Sequence, residues 1–469
     1  MVDKNLQVIQ TIPKEIFRAY DIRGIVDEQL NDDLMYDIGR SIGTEALTHG
    51  QDSIVIGRDC RLSGERLSSR LIAGLLCTGI NVIDLGIVPT PLLYFGTYFY
   101  QTKCGAMLTG SHNPSDYNGV KIMIGGKTIS GCEIQKLYTR ILEQDYICGT
   151  GSYQQNFIID QYIEDVCSKI ILKKKLRIVI DTGNGVAGVM AAKLYRTLGC
   201  EVIALFEEPN GNFPNHHPDP CKIENLVDLQ AAVIEHHADV GLAFDGDADR
   251  LGVVTNKGNV IMPDRQLMLF ARSILQVHPN SCIVFDIKCS RDLRHFVEQY
   301  QGVACMYKTG HSYIKNKMQE TNALLAGEMS GHIFFNERWY GFDDALYAGA
   351  RLLEILTNDY PDNDLDFLCN DLPNSTNTPE INIPIADHEK FSFVENLKKS
   401  LTFADPYQII DIDGLRVEFD YGWGLIRASN TTPSLVLRFE ADSDENLTRI
   451  IKDFKHNITA INSTLDFNF

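Results

Sequence analysis

The stretch SIVIGRDCRLSGERLSSRLIAGLLCTGINVIDLG, residues 53–86, carries the pattern that predicts the fold. An apolar, β-rich run (53–59) leads through a Gly/Asp turn into an amphipathic helix (65–79), and a second apolar run follows (80–86). Two strands joined by one helix at this spacing indicate a βαβ unit, whose parallel strands need a right-handed crossover. The stretch therefore predicts an α/β domain.

The same layout occurs twice more along the chain. The further copies have their first strand, helix and second strand at 176–185, 189–199 and 201–206, and at 282–290, 292–300 and 303–311. A chain of 469 residues is also too long for one ordinary core. Three copies of the layout predict three α/β domains of related topology.

The last hundred residues have a different pattern. A polar stretch rich in Pro and Asn (361–380) is typical of a linker, and strand patterns and a C-terminal helix follow it. These strands lie at 381–386, 415–419, 424–428 and 434–441, and the helix lies at 446–461. Strands paired by turns, with helices collected separately, predict a small α+β domain.

Composition restricts the possible partners. A net charge of -19 argues against general nucleic-acid binding, which needs a positive surface. No apolar run approaches the roughly 20 residues of a membrane span, and the N-terminus lacks the cationic start and apolar core of a secretory signal. The twelve cysteines form no CxxC pair and no cluster at zinc spacing. We therefore expect a cytoplasmic protein without nucleic-acid or membrane partners.

One glycine-rich turn indicates a different function. Gly183, Gly185 and Gly188 match the GxGxxG dinucleotide fingerprint, and the acidic Glu207 lies about twenty residues beyond it. A strand-to-helix turn also needs glycine simply to bend and pack closely, so the match is weak. A Rossmann oxidoreductase is therefore an alternative, which nicotinamide binding would identify.

Two other motifs are more specific. TGSHNPSDYNGVKI (109–122) places Ser111 on a tight loop, where backbone N–H groups can hold a phosphate. DGDADR (245–250) directly follows an apolar strand and brings together three carboxylates, those of Asp245, Asp247 and Asp249. Ligands that are all oxygen, with no His or Cys, point to Mg²⁺. Without a cation, three aspartates within five residues would repel one another, so we expect a magnesium site.

Several motifs together resemble one family, the α-D-phosphohexomutases, and within it the bacterial phosphomannomutase/phosphoglucomutase group. In the order of that family the chain contains FRAYDIRG (17–24), GRDCRLSG (57–64), TGSHNP (109–114), FPNHHPDP (213–220), DGDADR (245–250), GEMSGH (327–332) and RASNTTP (427–433). The resemblance covers nearly the whole chain. It implies three α/β domains of related topology plus a smaller α+β C-terminal domain around a central cleft. The four domains would cover residues 1–152, 153–257, 258–368 and 369–469.

The resemblance also implies a mechanism. Ser111 would carry a phosphoryl group and pass it to the free hydroxyl of a sugar monophosphate. The resulting glucose 1,6-bisphosphate or mannose 1,6-bisphosphate would turn around and return its other phosphate to Ser111. Mg²⁺, held by the three aspartates of DGDADR and a phosphate oxygen on Ser111, would neutralise the charge of the transferring group. The family further implies a monomer and assigns the glycine-rich turn a structural role.

Further residues are expected to bind the substrate. In GEMSGH, Glu328 and Ser330 would face one side of an extended segment and suit vicinal sugar hydroxyls. In RASNTT, an arginine fork and neutral donors suit a phosphate, although an ordinary polar turn would have the same sequence. The resemblance assigns phosphate contacts to Tyr20, Arg427, Ser429, Asn430 and Thr431, and a substrate contact to Lys288.

Proton transfer has four candidates that match family positions: Arg23, Lys121, His311 and His332. The sequence does not rank them. Arg250, beside the metal loop, is expected to contact the phosphoserine. His112 is next to Ser111 but need not be its base, because neighbours on a turn often point apart.

Three further alternatives are distinguishable by experiment. Phosphoglucosamine mutase is the nearest, although Met329 and the serine loop beginning TGS favour the glucose/mannose group. An aspartyl-phosphate phosphatase with Asp245 as nucleophile would release inorganic phosphate and would not need Ser111. A sugar-phosphate sensor without catalysis would keep the phosphate-binding residues of RASNTT but not the nucleophile.

Overall fold

The computed structural model describes residues 12–430, 432–462 and 465, and within them four sheets follow one another along the chain. The first sheet and its helices comprise β1 (Ile22–Ile25), α1 (Asp32–Thr48), β2 (Ser53–Arg58), α2 (Gly64–Leu76), β3 (Asn81–Ile87), α3 (Thr90–Phe99), β4 (Gly105–Leu108), β5 (Tyr117–Ile124), β6 (Lys127–Thr128), α4 (Cys132–Glu143) and β7 (Tyr153–Gln155). The second comprises α5 (Ile159–Lys169), β8 (Arg177–Asp181), α6 (Ala191–Thr197), β9 (Glu201–Leu205), α7 (Val227–Glu235), β10 (Val240–Phe244), β11 (Leu251–Thr255) and β12 (Val260–Ile261).

The remaining elements form the third and fourth sheets with their helices. The third comprises α8 (Pro263–Val277), β13 (Cys282–Asp286), α9 (Arg291–Gln299), β14 (Val303–Tyr307), α10 (His311–Thr321), β15 (Leu325–Gly327), β16 (Ile333–Phe335), α11 (Ala345–Asn358) and α12 (Leu365–Asn370). The fourth comprises β17 (Thr376–Asn377), β18 (Ile381–Pro384), α13 (Lys390–Ser400), β19 (Gln408–Ile410), β20 (Leu415–Phe419), β21 (Gly422–Ala428), β22 (Ser434–Ala441) and α14 (Asp444–Ile461). Among the described residues, no helix combines the length and apolar character that crossing a membrane requires.

The first three sheets share one strand order. In each, the two strands of the βαβ unit pair in parallel, a third strand lies parallel on the other side of the first, and a fourth runs antiparallel to the third. These orders are β5-β4-β2-β3, β11-β10-β8-β9 and β16-β15-β13-β14. The prediction of three α/β units of related topology is confirmed, and so is the separate antiparallel C-terminal sheet.

The shared topology determines where the motif loops lie. The loops 109–116, 245–250 and 328–332 each follow the third parallel strand of their sheet and lead into the antiparallel fourth strand. The loop 429–433, described except for 431, connects the antiparallel pair β21 and β22. Each motif loop is therefore a connection between two antiparallel neighbours, and three of the four are equivalent connections of a repeated fold.

The structure corrects the prediction for one segment and explains the glycines of another. The stretch 361–380 contains a helix and a short strand rather than a linker alone, because α12 packs Leu365 and Leu368 into the main core. The glycine-rich turn is structural, since Gly183 has a φ of 51° and a Cβ on Gly188 would overlap the carbonyl oxygen of Glu207. Close backbone packing therefore explains these glycines without a dinucleotide.

The hydrophobic core sets the C-terminal sheet apart. One continuous cluster of buried side chains joins the first three sheets and includes Trp339, whereas the fourth sheet has its own cluster under α13 and α14. Between the third and fourth sheets lies a small apolar cluster around Ile287 and Trp423. Polar contacts lie beside it: Arg416 stacks on Trp423 and donates to the carbonyls of Ile287 and Cys289 at 2.6 and 2.7 Å.

The two tryptophans of the chain report on these two parts separately. We expect Trp423 fluorescence in the Trp339→Phe variant to change at lower urea than Trp339 fluorescence in Trp423→Phe. A small domain with its own core buries less apolar surface per residue, so it should unfold first. In each variant the reporter lies in the part that was not altered. Coincident transitions in both variants, with a single far-UV circular dichroism step in the wild type, would show one cooperative unit instead.

Candidate active site

The first contact of the site joins the serine loop (109–116) to the loop of the three aspartates, here called the metal loop (245–250). Ser111 is buried, and its Oγ donates a hydrogen bond to Asp245 Oδ2 at 2.9 Å. Ser111 has a φ of 48°, in the left-handed region that non-glycine residues rarely adopt. A Cβ on Gly246 would overlap the Ser111 carbonyl oxygen, so the two loops touch along their backbones as well.

The three aspartates of the metal loop converge as predicted. Asp245, Asp247 and Asp249 are fully buried, and each places one carboxylate oxygen within 4.8 Å of the others. Lys121 Nζ lies 2.6 Å from Asp247 Oδ2 and 2.5 Å from Asp249 Oδ2. Although burial opposes it, these two carboxylates raise the pKa of Lys121 well above its usual value. Thr90, which the sequence did not indicate, donates to Asp247 Oδ2 at 2.6 Å.

The loop fits a metal cation. Within the described residues, the second carboxylate oxygens of Asp247 and Asp249 are buried and accept no hydrogen bond. Burial and the charges of the other two aspartates raise the pKa of Asp245 well above its usual value. Unsatisfied, crowded carboxylate oxygens are what a hard cation would bind, and all the candidate ligands are oxygen.

Two histidines lie beside the metal loop and share a carboxylate. Asp343 Oδ2 lies 3.2 Å from His332 Nδ1 and 3.6 Å from His311 Nδ1, and its Oδ1 accepts from Lys315 at 2.9 Å. Arg250 Nε donates to His332 Nε2 at 3.1 Å. Burial and the charge of Lys315 hold the pKa of His311 well below its usual value. Asp343 was missed because it lies outside the recognised motifs; its signal was the acidic pair before α11.

Arg23 reaches the serine loop from β1. Its guanidinium donates to Asn113 Oδ1 at 2.6 Å and pairs with Asp21 at 2.6 Å. Arg250 lies on the other side, 3.9 Å from Asp245 Oδ2. The structure thus brings two arginines and a lysine around the serine and aspartate loops.

The side chains of the neighbours His112 and Ser111 have different partners. Its Nδ1 lies 3.5 Å from Asp219 Oδ2, and burial lowers the pKa of His112 to about 3. The Ser111 hydroxyl bonds to Asp245 instead. The expectation that these neighbours point apart agrees with these contacts.

The GEMSGH segment is a turn, which corrects the extended geometry expected from its sequence. Gly331 N donates to the Glu328 carbonyl at 3.0 Å, and Gly331 has a φ of 88° that closes the turn. Glu328 Oε1 accepts from Gly310 N at 2.5 Å, and burial raises the pKa of Glu328 to about 7. Ser330 is half-buried, and its carbonyl accepts from the Cys221 thiol at 2.8 Å. Leu251 N donates to the Gly331 carbonyl at 3.0 Å, which joins this turn to the metal loop.

Two cations on the C-terminal side are paired with carboxylates. Arg427 Nε donates to Asp413 Oδ2 at 3.0 Å, and Lys288 Nζ donates to Glu380 Oε2 at 2.9 Å. The pair of Lys288 and Glu380 joins the third domain to the fourth. The other pair lies at the same junction, because Asp413 Oδ2 also accepts from Thr309 N at 3.0 Å. A phosphate entering here would compete with these carboxylates for the cations.

The remaining predicted residues lie around the same junction. Ser429 is buried, and its Oγ accepts from Thr432 N at 3.1 Å, while Asn430 is half-buried. Thr431 lies outside the described residues. The Tyr20 ring contacts the His311 ring edge-on, with centroids 5.1 Å apart, so the motif at 17–24 also reaches the site.

Comparison with known proteins shows the family of the chain. Models of the phosphoglucomutase/phosphomannomutase family match in order: alpha/beta/alpha domain I at residues 14–147, domain II at 160–258, domain III at 262–375 and the C-terminal domain at 380–456. A phosphomannomutase/phosphoglucomutase of Pseudomonas aeruginosa is 51% identical over 459 residues, which cover 98% of each chain. A phosphoglucomutase of Neisseria gonorrhoeae is 51% identical over 95% of this chain and 97% of its own.

A solved structure gives the same result for the fold. The crystal structure of a phosphoglucomutase/phosphomannomutase family protein from Burkholderia thailandensis superimposes with a TM-score of 0.92 at 46% identity, and the match covers 98% of this chain and 100% of that one. The predicted four-domain architecture is confirmed. The chain belongs to the phosphoglucomutase/phosphomannomutase family.

Proposed function

We propose that this chain is a phosphomannomutase/phosphoglucomutase, an isomerase that interconverts hexose 1-phosphate and hexose 6-phosphate. The sugar would be mannose, glucose or both, as the names of the relatives suggest. The observation that carries the proposal is the hydrogen bond from Ser111 Oγ to Asp245 Oδ2, which sets a nucleophile beside a cation-binding loop. An aspartyl-phosphate phosphatase would have no use for this buried serine.

The reaction begins with phosphorylated Ser111. Its phosphoryl group passes to the free hydroxyl of a bound sugar monophosphate, which forms a 1,6-bisphosphate and leaves the serine hydroxyl. The bisphosphate, glucose 1,6-bisphosphate or mannose 1,6-bisphosphate, then turns in the site and returns its other phosphate to Ser111. Added bisphosphate would also activate unphosphorylated enzyme by the same transfer.

The aspartates Asp245, Asp247 and Asp249 would hold Mg²⁺ together with a phosphate oxygen on Ser111. Bound Mg²⁺ would supply positive charge to neutralise the transferring group. Arg250 would bind the phosphoserine, and Lys121 would add a fixed positive charge, since its pKa is raised well above its usual value despite burial.

Proton transfer is assigned by elimination among four candidates. Arg23 is a cation, and so is Lys121, so neither accepts a proton readily. The two histidines remain, and His332 has the closer carboxylate, with Asp343 at 3.2 Å from its Nδ1 against 3.6 Å for His311. In this structure His332 Nε2 accepts from Arg250 Nε at 3.1 Å. With Nδ1–H directed to Asp343 and Arg250 turned to the phosphoserine, the Nε2 lone pair of His332 would be freed to act as general base. His311 would then help to line the site.

Substrate recognition would use both sides of the cleft. Glu328 and Ser330 would bind the 3- and 4-hydroxyls, which leaves C2 weakly read and admits both glucose and mannose. The phosphate that is not transferred would bind Tyr20, Arg427, Ser429, Asn430 and Thr431. Lys288 would contact the substrate. The pairs with Glu380 and Asp413 hold two of these cations in place until phosphate binds.

The organisation of the chain completes the proposal. We propose domain boundaries after residues 152, 257 and 368, and a monomer in the cytoplasm that acts on sugar phosphates. The separate core of the C-terminal domain supports a swing of that domain over the substrate, which would exclude water from phospho-Ser111.

Removal of the nucleophile tests the activity directly. With Mg²⁺, mannose 1-phosphate and a trace of glucose 1,6-bisphosphate, ³¹P NMR should show the 6-phosphate appear with the wild type. Ser111→Ala should lower kcat at least about 1,000-fold, because no other group can carry the phosphoryl. Ser69→Ala, at an exposed position of α2, is the matched control and should retain activity. Release of inorganic phosphate without isomerisation, equal in all three proteins, would instead identify a phosphatase.

Loss of one carboxylate tests the metal loop. Asp247→Asn should weaken Mn²⁺ binding, followed by electron paramagnetic resonance, at least about tenfold, because it removes one of three anionic ligands. Asp366→Asn is a suitable control, since Asp366 is likewise buried and paired with a lysine, Lys257, but lies outside the site. Equal Mn²⁺ affinity in both variants would contradict this assignment.

A further inference from the structure

The motif GRDCRLSG contains an arginine that the proposed reaction does not yet use. The Arg61 side chain is fully buried. Its NH1 donates to the carbonyls of Pro114 and Tyr117, and its NH2 donates to those of Ser111 and Asn113 at 2.8 and 2.6 Å. One guanidinium thus satisfies four backbone carbonyls of the loop that carries the nucleophile.

Asp59, the ion-pair partner of Arg61, binds the other end of the same loop. Asp59 Oδ2 lies 3.2 Å from Arg61 Nε and accepts from Thr109 Oγ1 at 2.8 Å and Gly110 N at 3.1 Å. Asp59 Oδ1 accepts from Arg61 N at 3.0 Å. The pair Asp59–Arg61 therefore binds residues before the serine through the carboxylate and residues from the serine onward through the guanidinium.

The space around this pair is filled. A Cβ on Gly110 would overlap the guanidinium carbon of Arg61, and a Cβ on Gly211 would overlap the Arg61 backbone. The guanidinium also lies 5.4 Å from the centre of the Phe213 ring. Gly211 and Phe213 belong to the second domain, which also carries the metal loop, so the arginine touches both parts that must be aligned.

The nucleophile has a conformation that needs such support. Ser111 has a φ of 48°, where a side chain is disfavoured, and such backbone persists only where surrounding contacts impose it. The bond from Arg61 is made to the carbonyl of Ser111 itself, and the bond from Thr109 to Asp59 lies two residues before it. A relaxed loop would move the serine Oγ away from Asp245.

We propose that Arg61, held by Asp59, is a positioning residue for phosphoryl transfer: its planar fork fixes the loop that aims Ser111 at the metal loop. The inference rests on the proposed mutase function. A lysine would keep the charge but could not serve four carbonyls from one plane. Arg61 is buried and contacts the serine loop through backbone carbonyls, so its replacement should affect transfer more than sugar binding.

The test compares Arg61→Lys with Arg66→Lys, a matched control on α2 whose half-exposed guanidinium pairs with Asp27 and Asp32. For Arg61→Lys we expect kcat to fall about 10- to 100-fold, since a shift of about 1 Å in a reacting group costs that much, with KM within about threefold. Phosphorylation of Ser111 by glucose 1,6-bisphosphate, followed by mass spectrometry, should slow by a similar factor. Arg66→Lys should match the wild type in all three quantities.

Hydrogen exchange separates this inference from the proposed function. Amides of 109–117 should exchange at least about tenfold faster in Arg61→Lys than in the wild type and Arg66→Lys, whatever the activity of the enzyme. If the wild type fails to isomerise hexose phosphates, the proposed function is wrong, but hydrogen exchange still tests whether Arg61 holds the serine loop. Should Arg61→Lys not fold, Asp59→Asn provides the second variant, with the same expectations. A kcat per folded molecule within about twofold of wild type, or unchanged exchange at 109–117, would overturn the inference.

Discussion

The hydrogen bond between Ser111 and Asp245 is the contact on which the rest of the site depends. The proposed nucleophile belongs to the first domain and the carboxylates that would hold the cation belong to the second, so the proposed chemistry requires that two separately built sheets keep a fixed distance. The continuous core of the first three domains provides that rigidity. The strained backbone at Ser111 and the buried charges around it are local costs that this core makes tolerable.

The repeated topology explains how four domains come to form one site. In each α/β domain the motif loop follows the third parallel strand, and the three copies carry the proposed nucleophile, metal and sugar-recognition sequences. Direct contacts link them in order: Ser111 to Asp245, then Leu251 N to the Gly331 carbonyl. The C-terminal domain instead joins through polar contacts, from Lys288 to Glu380 and from Thr309 N to Asp413, the carboxylate that also pairs with Arg427.

Much of this arrangement was predictable because its signals are local. The βαβ units, four of the six C-terminal strands and the convergence of the three aspartates all follow from short stretches of sequence. Thr90 and Arg61 were not assigned because their partners are distant along the chain; Thr90 and Asp247 are 157 residues apart, and Arg61 and Ser111 are 50 apart. Asp343 was not assigned because it lies outside the recognised motifs. Composition was misleading at 361–380, where Leu365 and Leu368 of a polar stretch enter the core as part of α12. The extended conformation predicted for GEMSGH was wrong because Gly331 closes a turn there.

Phosphate on Ser111 should move to the sugar and not to water. The sharpest test mixes enzyme labelled with ³²P on Ser111 with unlabelled mannose 1-phosphate and Mg²⁺ and quenches the reaction within the first turnover. We expect the label to leave the protein and to appear in the sugar bisphosphate and then in the mannose phosphates. Label that appears as inorganic phosphate, or remains on the protein while product forms, would rule out transfer through phospho-Ser111.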